Sequence, residues 1–263
     1  MNNNRTLIYT ACNKRYACFV PLFCAVALMN NKNIDIEICI SMNKLTDAQE
    51  VALDYLRQKF SNAKINIRYN MFKELDGRMI EYQGMKIYSN SARFIINPEI
   101  HDEYVYISDI DILMFDKDFQ EVHLKWMKNH NTKYCNIIRP KGNSLLSGLH
   151  FTYYDAYFPV DFRRYDITKN DEGLLMDIVS SKTQIYKEKD TIRPVHGIHM
   201  SPSRPEPKGT SAYPGWFDKG IDYETEWKTF RESDVYREIS KSFDGLLVEQ
   251  INKLEKYYQN KKV

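Results

Sequence analysis

The stretch YVYISDIDILMF, residues 104–115, decides the fold of this chain. Its nearly continuous apolar character predicts a central strand that is buried on both faces of a parallel sheet. Asp109 and Asp111 interrupt it. Burying an ionised carboxylate without a partner costs several kcal/mol, so this pair needs a cation or a place where the strand opens into a cleft. Because side chains two apart in a strand share a face, we expect both carboxylates on one side and Ile110 on the other.

The chain before this stretch alternates strand and helix patterns. Strands are predicted at residues 7–10, 34–41 and 65–69, and helices at residues 19–29, 47–60 and 91–97. In the second of these strands, four isoleucines alternate with Asp35, Glu37 and Cys39, which is the period of a strand. This βαβαβ order predicts an α/β fold with a mostly parallel sheet flanked by helices, and ligands at the carboxyl ends of the strands.

The composition excludes several classes of protein. The 263 residues carry a formal net charge of +2, which is too small to indicate a nucleic-acid partner. The five cysteines include no C-x-x-C pair, so neither a disulfide framework nor a thiolate metal site is predicted. The first residues lack the layout of a signal peptide, and the apolar residues 17–29 are fewer than the roughly 20 that a membrane-spanning helix needs. We therefore expect a cytoplasmic protein.

The Asp-x-Asp spacing at residues 109–111 predicts a metal site. Mg²⁺ and Mn²⁺ prefer oxygen ligands and commonly bridge one or two carboxylates to the phosphates of a substrate. The alternative interpretation is a solvated turn or a helix cap. The position of the pair at the end of a buried strand favours the metal site.

Five segments carry a resemblance to a known family. In chain order they are LIYTACNKRY (residues 7–16), Arg93, SDIDIL (108–113), LSGLHF (146–151) and VHGIHMSPSRP (195–205). Their order resembles that of the GT-A-fold nucleotide-sugar glycosyltransferases, particularly the glycogenin and lipopolysaccharide galactosyltransferase-like family, glycosyltransferase family 8. The resemblance implies a single GT-A, Rossmann-like domain, assigned to residues 1–220, with a carboxyl-terminal helical extension at residues 221–263.

The resemblance also implies a site for Mn²⁺ or Mg²⁺ and a UDP-sugar. Asp109, Asp111 and His199 would bind the metal, and His196 is the second choice for the histidine. Arg204 would meet the diphosphate of the donor. The family usually has Lys at that position and one more residue between it and the histidine. Because Arg can bind a phosphate through two N–H groups, the substitution does not remove the role.

Further positions match the donor site of that family. Those that match the residues cradling the uridine are Thr10, Ala11, Asn13 and Tyr16. Ser108 and Ile110 flank the metal-binding carboxylates and belong to the same site. Arg93 would pair with Asp109 or with a donor phosphate. Packing at a helix start is the open alternative for Tyr16, and a structural salt bridge is the open alternative for Arg93.

An acidic segment matches the part of that family that contacts the donor sugar and the acceptor. The register leaves Asp171 and Glu172 both as candidate catalytic residues. The alternative is an N-terminal helix cap, which the helix macrodipole favours.

The carboxyl-terminal tail, residues 233–263, is predicted as an amphipathic helix with a basic end. Most such helices dock on their own domain, while a minority touch an anionic membrane, where lipid-linked acceptors reside. Peripheral contact with the inner membrane face is therefore one of two interpretations of this tail.

Together these features predict a metal-dependent, retaining glycosyltransferase that moves a hexose from a UDP-sugar to a glycan or a lipid-linked acceptor, as in the synthesis of bacterial surface polysaccharides. Three alternatives stay open. They are a nucleotidyltransferase on a related fold, a catalytically silent protein that binds nucleotide sugars, and a zinc protein built on His196 and His199.

Overall fold

The structure is a computed structural model that describes residues 5–76, 78–137, 145–186, 196–202 and 221–260. In these residues the strands are β1 Thr6–Cys12, β2 Ile34–Ile40, β3 Ile65–Arg68, β4 Lys73–Glu74, β5 Met79–Tyr82, β6 Met85–Tyr88, β7 Tyr104–Ile107, β8 Ile112–Met114, β9 Tyr134–Cys135, β10 His150–Tyr153 and β11 Gly197–His199. The α-helices are α1 Val20–Asn30, α2 Asp47–Lys59, α3 Ala92–Ile95, α4 Phe119–Asn129, α5 Tyr154–Tyr157, α6 Asp171–Lys182, α7 Tyr223–Arg231, α8 Asp234–Ile239 and α9 Gly245–Asn260.

A six-stranded sheet with the order β3-β2-β1-β7-β10-β9 forms the centre of the fold. The first four strands are parallel, and β10 runs antiparallel to both β7 and β9. Strands β4, β5 and β6 form a separate antiparallel meander. The predicted α/β class, a mainly parallel sheet flanked by helices, is confirmed.

Helix α1 is the central helix of one layer. Residues 20–27 of this helix are fully buried, and the helix contacts β8, α2 and α8. Helix α2 begins at a capping box, in which Thr46 accepts from the Gln49 N–H and the Gln49 side chain accepts in return from the Thr46 N–H. The predicted helix at residues 19–29 starts one residue later, after a 3₁₀ turn at Lys14–Phe19.

The prediction of one continuous strand at residues 104–115 is wrong. The chain leaves the central sheet after Ile107, and β8 pairs instead with β11 in a separate two-stranded sheet. Residues 108–111 between them form a turn, in which the Ile112 N–H donates to the Asp109 carbonyl oxygen at 3.2 Å. These residues are not in a strand, but the expected placement holds, because the Asp109 and Asp111 carboxylates lie together and Ile110 packs in the core. Leaving the sheet gives the carboxylates access to the edge where the parallel strands end.

Strand β2 is buried on both faces, although its isoleucines alternate with polar residues. Glu37 accepts from the N–H groups of Glu99 and Ile100 and from Arg68 Nη1, at 2.9–3.0 Å. Asp35 accepts from Arg5 and from the Lys64 N–H. These bonds supply the partners that buried carboxylates require.

The carboxyl-terminal tail consists of two α-helices, α8 and α9, where one was predicted. The apolar face of α9 is buried through Leu247, Ile251, Leu254 and Tyr258. This face therefore packs on the rest of the chain, as in the first interpretation of the tail. None of the helices in the described residues is both long enough and apolar enough to cross a membrane.

Candidate functional site

Three side chains meet at the edge of the sheet where β7 ends. Asp109 and Asp111 lie in the turn after β7, and His199 ends β11. One ligand atom from each of the three lies within 4.8 Å of the others. His199 Nε2 is 3.3 Å from Asp111 Oδ1. The Asp111 side chain is 7% exposed and that of Asp109 is 32% exposed, so the group opens to solvent on the Asp109 side.

The β8–β11 ladder brings His199 to the carboxylates. His199 is opposite Ile112, and the Met200 N–H donates to the Asp111 carbonyl oxygen at 2.8 Å. Gly197 is required for this close approach, because a Cβ atom at this position would lie 1.7 Å from the Leu113 carbonyl oxygen. Asp111 and His199 are 88 residues apart in the sequence, so no local pattern predicts their contact. Gly197 is the sequence feature that could have indicated it.

Arg93 joins this group to the start of α6. Its Nη2 lies 3.0 Å from Asp109 Oδ1 and 3.3 Å from Asp171 Oδ2, and it donates to the Gly148 carbonyl oxygen at 3.0 Å. The structure thus brings together three of the segments that carry the family resemblance. Both interpretations of Arg93 stay open, because a buried guanidinium that bridges two carboxylates also stabilises the fold.

The local charge balance fits a divalent cation. Burial raises the pKa of the Asp109 carboxyl, and the neighbouring Asp111 and Asp171 carboxylates raise it further against the opposing effects of Arg93 and His199. Among the described residues, Arg93 forms salt bridges with both Asp109 and Asp171. These two carboxylates therefore share one positive charge. Two carboxylates and one imidazole form a set of ligands that suits Mn²⁺. The carboxylate oxygen atoms of this set also suit Mg²⁺.

The predicted nucleoside residues lie along the end of β1 and the turn that follows. Thr10 is fully buried, with its hydroxyl unpaired among the described residues, and Ala11 is half-buried. Asn13 caps the 3₁₀ turn by accepting from the Tyr16 N–H at 3.3 Å. Burial and the Asp111 charge both raise the pKa of Tyr16, whose hydroxyl bonds to Ser201. Tyr16 is therefore close enough to Asp111 to be affected by its charge.

A cleft of about 830 Å³ opens beside this turn. Its lining comes from the carboxyl ends of β2 and β3 and from the meander, and includes Lys14, Ser41, Asn43 and Glu74. Glu74 accepts hydrogen bonds from the Lys14 N–H and from the Ser41 hydroxyl. Asp109 and Asp111 are outside this lining, so the cleft does not contain the carboxylate group.

Asp171 and Glu172 form the first turn of α6. Asn170 caps the helix by accepting from the Gly173 N–H at 2.8 Å. A Cβ atom added at Gly148 would lie 3.3 Å from Asp171 Oδ2 and 3.9 Å from Glu172 Cγ. Both acids therefore border the small-residue segment at residues 146–151, and the cap itself is Asn170.

The side chains of three other predicted residues are buried away from the carboxylate group. His196 is 2% exposed and bonds to Asp116 and His123. Ser108 is buried and its hydroxyl donates to the Asp109 carbonyl oxygen, while Ile110 is 4% exposed and packs in the core. Arg204 lies outside the described residues.

Comparisons with known proteins support the fold assignment. The chain matches no protein-family model and no curated protein. Its structure is similar to that of the apo form of glycosyltransferase GlyE from Streptococcus pneumoniae TIGR4, with a TM-score of 0.52, 10% identity, and coverage of 93% of this chain and 64% of that one. It is also similar to apo WbbM, a bifunctional glycosyltransferase, with a TM-score of 0.50, 10% identity, and coverage of 97% and 52%. The chain thus has a glycosyltransferase fold and spans less than two thirds of either neighbour.

Proposed function

We propose that this chain is a metal-dependent glycosyltransferase, related to glycosyltransferase family 8, that uses a nucleoside diphosphate sugar, with a UDP-sugar as the expected donor. The observation that carries the proposal is the meeting of Asp109, Asp111 and His199 within 4.8 Å. This group lies at the carboxyl end of a parallel strand, where α/β folds bind their ligands. The similarity to glycosyltransferase structures supports the same activity.

In this proposal Asp109, Asp111 and His199 hold Mn²⁺ or Mg²⁺. When bound, the ion supplies Lewis-acid stabilisation of the charge that develops on the leaving diphosphate. Arg93 orients Asp109 through the 3.0 Å contact and holds Asp171 on the other side. Arg204, which lies outside the described residues, would by the family resemblance bind the diphosphate.

The donor nucleoside binds along the turn after β1. Thr10, Ala11, Asn13 and Tyr16 line this turn, and the cleft beside it offers polar groups from the carboxyl end of β2. An aromatic ring such as that of Tyr16 can stack on a base, and a short amide can read its edge.

Asp171 and Glu172 are the proposed contacts to the transferred sugar and the acceptor. They border Gly148, whose lack of a side chain lets Arg93 and Asp171 approach the main chain closely. The acceptor is a glycan or a lipid-linked glycan, and retention of the anomeric configuration follows from the family resemblance. NMR analysis of the product anomer tests retention, and an inverted product would contradict it.

Release of UDP, GDP or CMP from a panel of UDP-, GDP- and CMP-sugars tests the activity. Reactions contain Mn²⁺, Mg²⁺ or EDTA and compare wild type with Asp111→Ala. We expect UDP release that needs the metal and is lost in the variant. In a parallel reaction with UTP and a sugar 1-phosphate, release of pyrophosphate would indicate a nucleotidyltransferase. Donor binding without turnover would indicate a silent protein. Zinc retained through extensive dialysis would indicate the zinc protein.

A further inference from the structure

A buried chain of polar side chains lies at the opposite end of the β8–β11 ladder from the carboxylates. It runs from Tyr223 on α7 through Asp116 and His196 to His123 on α4. The Tyr223 hydroxyl donates to Asp116 Oδ1 at 2.5 Å, and His196 Nδ1 is 3.0 Å from Asp116 Oδ2. The Nε2 atoms of His196 and His123 are 2.6 Å apart. The last three members are 0–3% exposed.

The bond between the two imidazoles restricts their protonation. At 2.6 Å one Nε2 donates and the other accepts, because two N–H groups cannot point at each other. When His196 is neutral, its Nδ1–H donates to Asp116, so its Nε2 accepts from His123. Aromatic rings surround both imidazoles. The His123 ring stacks on that of Phe151, with 4.8 Å between the ring centroids. The ring centroids of His196 and Phe119 are 4.9 Å apart.

This chain of side chains determines the position of β11 relative to β8. The Asp116 N–H donates to the His196 carbonyl oxygen at 3.1 Å, so both the main chain and the side chain of His196 are bound to one residue. Three residues further on, His199 reaches Asp111. A slip of the ladder by one residue would turn His199 to the other face, because side chains alternate along a strand.

We infer that Asp116, His196, His123 and Tyr223 are positioning residues that hold His199 in the register needed to bind the metal. The inference rests on the proposed function, because it assigns these residues a role at its metal site. It also links α7, in the carboxyl-terminal extension, to that site. These residues act through the ladder and touch neither metal nor donor. Replacing residues that orient a metal ligand typically weakens metal binding 10–100-fold.

Calorimetric titration of Mn²⁺, with and without UDP, tests this inference on the full-length protein. The variants are Asp116→Asn, His196→Asn and Tyr223→Phe. Glu37→Gln is the matched control, since Glu37 is also a buried, hydrogen-bonded titratable residue but lies on β2. We expect the Mn²⁺ dissociation constant to rise 10–100-fold in the first two variants and less in Tyr223→Phe. In Glu37→Gln we expect the wild-type value, with a lower melting temperature.

A purely structural role would lower the melting temperatures and leave the dissociation constant of the folded protein unchanged. Wild-type Mn²⁺ affinity in Asp116→Asn and His196→Asn would therefore overturn the inference alone. If neither of these folds, Tyr223→Phe decides, because it removes one hydroxyl group and keeps the ring: weaker Mn²⁺ binding supports the inference, and unchanged binding overturns it. Absence of Mn²⁺ binding by the wild type would overturn the proposed function and this inference together.

Discussion

Two pairs of acidic residues in this molecule have the same spacing and different surroundings. Asp35 and Glu37 lie within β2, and Asp109 and Asp111 follow β7. In the first pair each carboxylate contacts an arginine, Arg5 or Arg68, and accepts from backbone N–H groups; Arg68 also contacts the exposed Glu99. The second pair has one contact to Arg93, which Asp171 shares, and one to His199.

The comparison shows that an acid-x-acid pattern in an apolar stretch has two different outcomes. Within a strand, the carboxylates are compensated by protein groups and stabilise the fold. Beyond the carboxyl end of a strand, the neighbouring positive charge is smaller than the negative charge of the carboxylates. Burial raises the pKa of the Asp109 carboxyl. Charge that the described side chains leave uncompensated is what a divalent cation would neutralise.

The largest expected effect separates the two pairs by activity. Asp111→Asn should lower metal-dependent UDP release about 100–1,000-fold, because an electrostatic contact to the transition state typically contributes about 2.7–4 kcal/mol. In EDTA its melting temperature should equal or exceed that of the wild type, because repulsion between Asp109 and Asp111 is removed. UDP release and thermal melting measure the two quantities. A melting temperature that falls by ten degrees in EDTA would show that Asp111 serves the fold instead.

The reverse result is expected for Glu37→Gln. This change leaves Arg68 without its buried carboxylate partner and should lower the free energy of unfolding by about 3 kcal/mol. Urea denaturation measures the loss. The Mn²⁺ dissociation constant of the folded variant should stay at the wild-type value. Weakened Mn²⁺ binding in this variant would contradict the division between the two pairs.

The metal itself should stabilise the second pair and not the first. Mn²⁺ at about 100 times its dissociation constant should add about 2.7 kcal/mol to the free energy of unfolding of the wild type. The same addition should occur in Glu37→Gln and be absent in Asp111→Asn. Urea denaturation with Mn²⁺ and with EDTA measures the difference. Equal stabilisation of all three proteins would place the ion elsewhere.

The smallest expected effect concerns a neighbour of the first pair. Burial raises the pKa of Asp102 from 3.8 to about 6, and the Asp35 charge adds to this. The folded state thus binds the proton more tightly than the unfolded state, so the stability that the protonated carboxyl contributes is lost as pH rises through 6. Asp102→Asn should therefore gain stability relative to wild type between pH 5 and pH 8.

Because Asp102 is partly exposed, we expect that gain to stay below about 1 kcal/mol. Urea denaturation at both pH values measures it, with Asp54→Asn, on the exposed face of α2, as the control. A stability difference that does not change with pH would show that the Asp102 carboxyl is not held protonated by its surroundings.

Local patterns in the sequence predict much of the fold. The βαβαβ order follows from the apolar periods of residues 7–69, because each element buries a face of its own. Such patterns do not predict the break after Ile107, because β8 is as apolar as β7 although it belongs to a second sheet. Such patterns do not predict the role of Glu37 either, because its hydrogen-bond partners are 29 residues or more away in the chain.

The candidate site divides in the same way. Asp109 and Asp111 stand out because carboxylates are unusual in an apolar stretch, and the resemblance to a known family adds His199 and Arg93. The bridge from Arg93 to Asp171 and the clamp from Asp116 to His196 join segments about 80 residues apart. No local sequence pattern predicts either contact, because an acidic residue from any part of the chain could make it if the fold brought it there.

Electron paramagnetic resonance of Mn²⁺ in the presence of the wild-type protein tests the central claim most directly, because bound Mn²⁺ loses the sharp signal of the free ion. Asp111→Asn and Glu37→Gln are measured alongside, each with and without UDP. We expect one bound ion in the wild type and in Glu37→Gln, and loss of that ion in Asp111→Asn. Equal Mn²⁺ binding by Asp111→Asn and wild type would contradict the claim that this carboxylate pair holds the metal.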